Sequence, residues 1–436
     1  MTATTAGYND AVETPSRALI ERSLLTLGAL FMIVNSTSLV LLRGRSTLLD
    51  WAHVIVWIAC AAIGTQLLER RLPKRDPLLF PLAMFMTGWG LILIERLAPP
   101  FAERQTVWLP IAFAAGLAAA FIPNVIRILR TYRYTLLVFG LMLLIATIVM
   151  GTNPSGLPNA PELWLGYGTI FFQPSEALKI ILVIFLASYL AEQYPAMRAA
   201  ALLGDPRRLA FSPRILGPIL LMWGLSIVIL IWQRDLGTAM LFFMVFLLLT
   251  YIASGFTPLL LAGAVLTGLA GIVGYRLFAV VRLRVDIWLN PWPEADDRAY
   301  QIVQSLQAFA AGGIFGQGIG QGTPVFIPVN HSDFIFAALA EEFGLLGVIA
   351  CIACLGVFIA RSLRIAAIQR TRPFHTLLAV GLSVLLIVQS LMIMGGVMKL
   401  IPLTGVTMPF FSYGGSSLLI NFIATGLLLR LSSGDP

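Results

Sequence analysis

Residues 290–342 read NPWPEADDRAYQIVQSLQAFAAGGIFGQGIGQGTPVFIPVNHSDFIFAALAEE. This stretch is polar, rich in glycine and marked by proline, yet long apolar runs flank it on both sides. Helices packed side by side are usually joined by a few residues, so a connection this long has a purpose beyond linkage. Carboxylates, glutamines and a glycine cluster held between two spanning helices make a natural place for chemistry at a membrane face.

Outward from that loop, the whole chain reads as a membrane protein. Its 436 residues are 58% hydrophobic and only 11% charged, with mean hydropathy +0.88, against about 25% charged residues in soluble domains. No cleavable signal peptide is expected: residues 1–17 are polar, and the run from Ser23 to Leu42 is long enough to span. The net charge of +8 does not point to nucleic acid. The basic residues cluster between apolar runs, as topology signals and contacts to lipid headgroups do. Cys60, Cys351 and Cys354 lie in apolar segments without zinc-like partners and read as packing residues, not as a disulfide framework.

Apolar runs of about 20 residues predict an all-α polytopic fold of about twelve transmembrane helices. They fall near 22–42, 52–69, 77–97, 107–125, 134–151, 175–192, 214–232, 237–254, 257–279, 334–360, 375–397 and 411–431. No repeat of fixed period is visible. Basic clusters follow the even-numbered spans: Arg70, Arg71, Lys74 and Arg75; Arg127, Arg130 and Arg133; Arg198, Arg207, Arg208 and Arg214; Arg361, Arg364, Arg370 and Arg372. Those connections are therefore expected in the cytoplasm, with both termini, and the large loop outside. The expected organisation is a cytoplasmic tail (1–21), two N-terminal spans (22–76), a membrane core (77–432) carrying the external loop 280–333, and a cytoplasmic C-terminal end (433–436). Arg43, Arg45, Arg282, Arg284 and Arg298 sit on the external side against the charge rule and are candidates for binding an anionic substrate.

Four segments are polar where a spanning helix should be apolar. In Gln173-Pro174-Ser175-Glu176, Pro174 and Glu176 suit a helix start, and Glu176 can pair with Lys179. Gln233-Arg234-Asp235-Leu236-Gly237-Thr238 reads as a tight turn. The large loop ends in Asn330-His331-Ser332-Asp333, and Glu341 and Glu342 follow ~12 Å deeper along a helix. Carboxylates at that depth are costly, so they are expected to face the bundle interior, with at least one paired to a basic residue. Finally, Pro402–Gly405 and Pro409–Ser417 break a helix near the membrane face, which is tolerated where backbone is buried or lines a cavity.

Six motifs in these segments, taken in order, resemble the SEDS family (shape, elongation, division and sporulation) of RodA/FtsW-like proteins. They are QPSE (173–176), DLGT (235–238), YQIVQS (300–305), GGIFGQGIGQGT (312–323), HSDFIFAALAEEFG (331–344) and PFFSYGGSS (409–417). The resemblance runs from about Leu91 to Leu431, and the first two spans look additional to a roughly ten-helix family core. It implies a peptidoglycan glycosyltransferase that polymerises lipid II at the outer face of the cytoplasmic membrane. A class B penicillin-binding protein (a transpeptidase) would be its partner, and a divalent cation, Mg or Mn, its cofactor. The family has an essential Asp about six residues before the Tyr of its YQ pair. That register here falls on Glu294, with Asp296 and Asp297 the nearest aspartates, so these three are the candidate bases.

The residues suit that chemistry. A sugar 4-hydroxyl must attack an anomeric carbon bearing pyrophosphate. One carboxylate can take the proton, and the leaving pyrophosphate needs positive charge. Arg234, Arg282, Arg284 and Lys399 are the candidate phosphate contacts. Asp235, Gln301, Gln304, Ser305, His331, Asp333, Glu341, Glu342, Ser412, Tyr413 and Ser416 complete the candidate substrate-binding set. His53, His331 and His375 lie on separate segments, which argues against a histidine metal cluster. A lipid II flippase suits intramembrane carboxylates and broken helices equally, and a non-catalytic scaffold for a transpeptidase is a third reading.

Overall fold

The computed structural model describes residues 17–44, 47–153, 162–168, 170–202 and 235–434, with scattered positions between 203 and 234. The described chain is helical, as a bilayer demands of backbone that must satisfy its own polar groups. Helices α1 (Arg17–Arg43) and α2 (Ala52–Arg71) form an N-terminal hairpin. Next come α3 (Leu79–Leu97), α4 (Pro99–Phe121), α5 (Val125–Thr131) and α6 (Arg133–Met150). A short antiparallel hairpin of β1 (Leu165–Tyr167) and β2 (Ile170–Phe172) precedes α7 (Pro174–Leu202). The remainder is α8 (Leu236–Ser254), α9 (Pro258–Leu277), α10 (Ala279–Leu289), α11 (Tyr300–Gly312), α12 (Ile335–Ile368), α13 (Pro373–Val397) and α14 (Gly415–Ser432).

Among the described residues ten helices are long and apolar enough to span a membrane, or eleven if α4 and α5 count as one. The expected straight span at 107–125 is instead α4 followed by an 88° bend into α5. Asn124, at φ 55, makes the turn. The span expected at 214–232 lies largely outside the described residues, as do Arg45, Arg207, Arg208, Arg214 and Arg234.

The core centres on α3, α13 and α14, whose buried faces run almost their full length. Helices α4 and α14 pack most extensively. A Cβ on Gly116 would stand 2.7 Å from the Phe422 carbonyl, so small residues allow the backbones to approach, the usual device of membrane helix pairs. By contrast, α9 buries only Gly263 and Gly274 and leans on α8 and α10.

Charged pairs sort to the two ends of the bundle. One end holds Arg22–Glu69 at 2.8 Å, Arg75–Glu21 at 2.6 Å and Arg361 Nε donating to Asp76 at 2.8 Å. The other holds Arg43–Glu95 at 2.6 Å and Arg96–Glu342 at 3.0 Å, together with residues 290–333. Arg75 reads in the sequence as a topology charge, but it is buried against Glu21. The loop is also more ordered than a connector: it carries α10, α11 and two 3₁₀ turns, Trp292–Glu294 and Pro324–Phe326.

Candidate active site

The glycine-rich segment is clipped onto a break in α12. At Gly344 (φ 66, ψ −167) the helix leaves α geometry, a conformation open to glycine and strained for other residues. The break frees backbone groups that the loop then satisfies. Gln317 and Gly318 donate to the carbonyls of Glu341 (2.9 Å) and Glu342 (3.0 Å), and Leu345 and Leu346 donate to Gly313 (2.9 Å) and Ile314 (3.1 Å). The two glutamate side chains complete the clip. Glu341 Oε1 accepts from the Thr323 N–H at 2.6 Å, and Glu342 Oε2 from the Gly320 N–H at 3.2 Å. Arg96 Nε donates to Glu342 Oε1 at 3.0 Å, while Arg96 Nη2 reaches the carbonyls of Gly320 (3.3 Å) and Gly322 (3.0 Å). Both glutamates therefore face the interior, and one is paired with an arginine. Their observed partners belong to the loop.

Asp235, Arg284 and Asp333 converge from the start of α8, from α10 and from the residue before Phe334. Asp235 caps α8: Oδ1 accepts from the Thr238 N–H at 2.9 Å. Arg284 Nη1 donates to the Thr404 carbonyl at 3.3 Å. Gly405 stands between the charges, since a Cβ there would lie 3.8 Å from Asp333 Oδ2 and 3.9 Å from Arg284 Nη2. Its φ of +71 is the left-handed backbone that glycine supplies. Burial pushes the Asp333 carboxyl above the usual carboxylate range, against the pull of Ser332 and Arg284. Burial likewise lowers Arg284, with Asp235 and Asp333 opposing it. Arg284 also lines a cavity of ≈ 250 Å³ whose other walls, Leu236, Met240, Phe243, Val285 and Ile401 among them, are mostly apolar.

His331 and the Pro409–Ser417 segment pack together next to Asp333. His331 stacks on Phe101 with ring centroids 4.3 Å apart, and its carbonyl accepts from the Tyr413 N–H at 2.8 Å. Burial holds its pKa down to about 4, so it is neutral at pH 7. Ser412 Oγ donates to the Ser332 carbonyl at 2.6 Å, and the Gln173 N–H donates to Ser416 Oγ at 2.9 Å. Glu176 and Lys179 pair at 2.6 Å. Lys179 continues to Gln389 (3.3 Å), which donates to the Thr407 carbonyl at 2.7 Å. This buried polar chain ties α7 to α13 and to the broken segment.

Comparison with known proteins identifies the family. The FtsW, RodA and SpoVE family model, described as a cell cycle protein, matches residues 78–435. The chain belongs to this family. It is 38% identical over 384 residues to the peptidoglycan glycosyltransferase RodA of Mycobacterium tuberculosis, covering 84% of this chain and 80% of that one. It is 34% identical to stage V sporulation protein E of Bacillus subtilis, over 76% of this chain and 87% of the relative. Among solved structures it resembles a chain of a peptidoglycan synthase complex that coordinates polymerization and crosslinking. There the TM-score is 0.66 at 27% identity, covering 82% of this chain and 97% of that one. RodA of Thermus thermophilus shares the fold, with TM-score 0.57 at 24% identity over 82% of this chain and 96% of that one.

Within this family member the candidate bases differ in setting. Glu294 is half-buried in the Trp292–Glu294 turn and paired with Arg298, while its Oε2 is enclosed without a hydrogen-bond partner. Asp296 and Asp297 are exposed. No hydrogen bond or ion pair among the described residues joins these three to Arg284 or Asp333. The link runs through α10, since Arg284 lies within it, Glu294 follows its end, and Lys399 Nζ reaches the Leu289 carbonyl at 3.5 Å. Ser305 Oγ donates to the Val397 carbonyl at 3.0 Å, and Gln301 and Gln304 are half-buried on the same helix, α11. Arg282 is exposed and turned to the carbonyls of Tyr275 and Arg276. Arg234 lies outside the described residues. Arg43, expected as a contact for an anion, is engaged by Glu95 and Asp50.

Sequence reasoning passed over Arg96 and Glu95. They sit at the end of an apolar run, in Leu93-Ile94-Glu95-Arg96, where charge was readable but its partners were not. A charged pair at the edge of a span is the signal that marks them.

Proposed function

We propose that this chain polymerises lipid II into peptidoglycan glycan strands at the outer face of the cytoplasmic membrane. The observation that carries this reading is the convergence of Arg284, Asp235 and Asp333 beside an apolar cavity that Arg284 lines, in a chain of the FtsW, RodA and SpoVE family. The cavity suits a prenyl chain, and Arg284 suits the pyrophosphate that the chain carries. The acceptor 4-hydroxyl forms its bond to the anomeric carbon as the bond to pyrophosphate breaks. The hydroxyl proton goes to a carboxylate, and the pyrophosphate leaves as an anion on its lipid.

A divalent cation, Mg²⁺ or Mn²⁺, belongs to the same reading. No three His, Cys, Asp or Glu side chains come together among the described residues. The cation would therefore draw most of its ligands from substrate phosphate and water, as Mg²⁺ commonly does. Asp333 and Asp235 are the carboxylates placed to contribute. When bound it would neutralise charge on the leaving pyrophosphate. We assign a class B penicillin-binding transpeptidase as partner, in keeping with the solved relative from a synthase complex.

Purified protein given lipid II alone should form glycan polymer, and chelation of divalent cations should abolish it. Movement of lipid II across a liposome bilayer without polymer would favour a flippase. Polymer that forms only once a separate polymerase is added would favour a scaffold. The topology is tested separately. With the native cysteines replaced, a cysteine at Gln321 should react with an impermeant thiol reagent on intact cells, and one at Arg364 only after permeabilisation. Both positions are exposed, at opposite ends of the bundle. The reverse pattern would place the site in the cytoplasm and sink the mechanism.

A further inference from the structure

Helices α1 and α2 precede the residues that the family model matches, yet α1 ends against the glycine loop of the candidate site. A Cβ on Gly320 (φ +81) would collide with Leu42, lie 3.5 Å from Leu39 and stand 3.8 Å from Arg96 Nε. Arg43, the last residue of α1, grips the end of α3 twice. Nη1 donates to Glu95 Oε1 at 2.6 Å, and Nη2 donates to the Glu95 carbonyl at 2.8 Å. Nη1 also lies 3.4 Å from Asp50 Oδ1, while Asp50 Oδ2 accepts from the Thr47 N–H at 2.7 Å and the Thr47 hydroxyl at 2.8 Å. The very next residue after Glu95 is Arg96, which holds Glu342, Gly320 and Gly322.

We propose that Arg43 is a positioning residue for the glycine loop, acting through Glu95 and Arg96, so that the N-terminal hairpin buttresses the lipid II site of this chain. Arg43 itself touches no part of the candidate centre. Its two bonds fix the side chain and the carbonyl of Glu95, and so the direction in which the α3 terminus presents Arg96. Without them Arg96 keeps its charge but loses its fixed base, and the amides of Gln317, Gly318, Gly320 and Thr323 are freed to open. The proposal rests on the reading of residues 312–323 as part of the substrate site.

Hydrogen exchange on the full-length purified protein tests it, compared with lipid II kinetics. Arg43→Ala should speed exchange of the 317–323 amides by about tenfold or more, as expected for a local opening, while α13 and α14 stay protected. The KM for lipid II should rise more than kcat falls, because a loosened loop weakens substrate binding first. Arg43→Lys should restore protection in part. The charge exchange Arg43→Glu with Glu95→Arg should restore more than either single change, the coupling a direct pair requires. If Arg43→Ala does not accumulate, Arg43→Gln keeps a donor for the Glu95 carbonyl without the charge and supports the same comparison. Loop exchange within about twofold of wild type, or protection lost equally in α13 and α14, overturns the proposal. Failure of the wild-type chain to polymerise lipid II would instead sink the functional reading, and the exchange comparison would stand unaffected.

Discussion

Glu294→Gln is expected to lower polymerisation by roughly two to four orders of magnitude, the range that a positioned general base contributes. Asp296→Asn and Asp297→Asn should each leave the rate within about tenfold, below that range. The difference follows from setting. Glu294 sits in a 3₁₀ turn whose last carbonyl accepts from the Asp297 N–H (3.1 Å) and the Ala299 N–H (3.0 Å). Arg298 holds one carboxylate oxygen, and the other is enclosed without a partner. A base must be held at a fixed reach from the proton it takes, and the turn and Arg298 hold Glu294 in that way. Asp296 and Asp297 are exposed, and nothing described fixes their side chains. Glu294→Asp keeps the chemistry and shortens the reach by one methylene, so an intermediate rate is expected. Initial rates of glycan formation by purified variants decide the matter. A Glu294→Gln rate within tenfold of wild type would move the base to Asp333 or Asp235.

How far such a site can be read from sequence depends on which interactions are local. Most of the described spans were legible because each needs only its own apolar run, whereas Asp235, read as part of a tight turn, caps α8 through Thr238 three residues on. The inward burial of Glu341 and Glu342 followed from the cost of a carboxylate in the bilayer. Other features depend on distant chain. Glu342 meets Arg96 across 246 positions, and Arg284 meets Thr404 across 120. No periodicity announces such pairings. The bend at Asn124 and the break at Gly344 escaped for a related reason. Each interrupts a run that is apolar on both sides, and the compensating hydrogen bonds at Gly344 come from Gly313–Gly318, 24 to 32 residues upstream of their partners. Helix α11 was hidden by its polarity: Gln301, Gln304 and Ser305 read as loop, and only Ser305 finds a partner on α13, the Val397 carbonyl.

Asp333→Asn should separate stability from activity. Its carboxyl is raised by burial, with Asp235 adding to the shift and Ser332 and Arg284 opposing it. A group whose folded pKa lies above its unfolded value of about 3.9 stabilises the fold fully below that value. The contribution is lost as pH rises through the folded pKa. Wild-type protein should therefore lose thermal stability from about pH 4 upward through that transition, and Asp333→Asn should lack this slope. At neutral pH the variant should be at least as stable as wild type, because the neutral amide carries no ionisation cost in the same packing. Its polymerisation rate should nevertheless fall by about a hundredfold or more, the loss typical when a preorganised charge is removed from a reacting centre. Arg284→Ala should fall by a similar factor, and Arg284→Lys should recover little, because an ammonium cannot reproduce the planar fork that grips pyrophosphate. Thermal midpoints across pH, paired with initial rates, give both readouts on the same preparations. Should Asp333→Asn unfold at neutral pH and lose activity in proportion, the buried Asp235, Arg284 and Asp333 cluster would be a brace for α8 and α10, with the pyrophosphate site elsewhere.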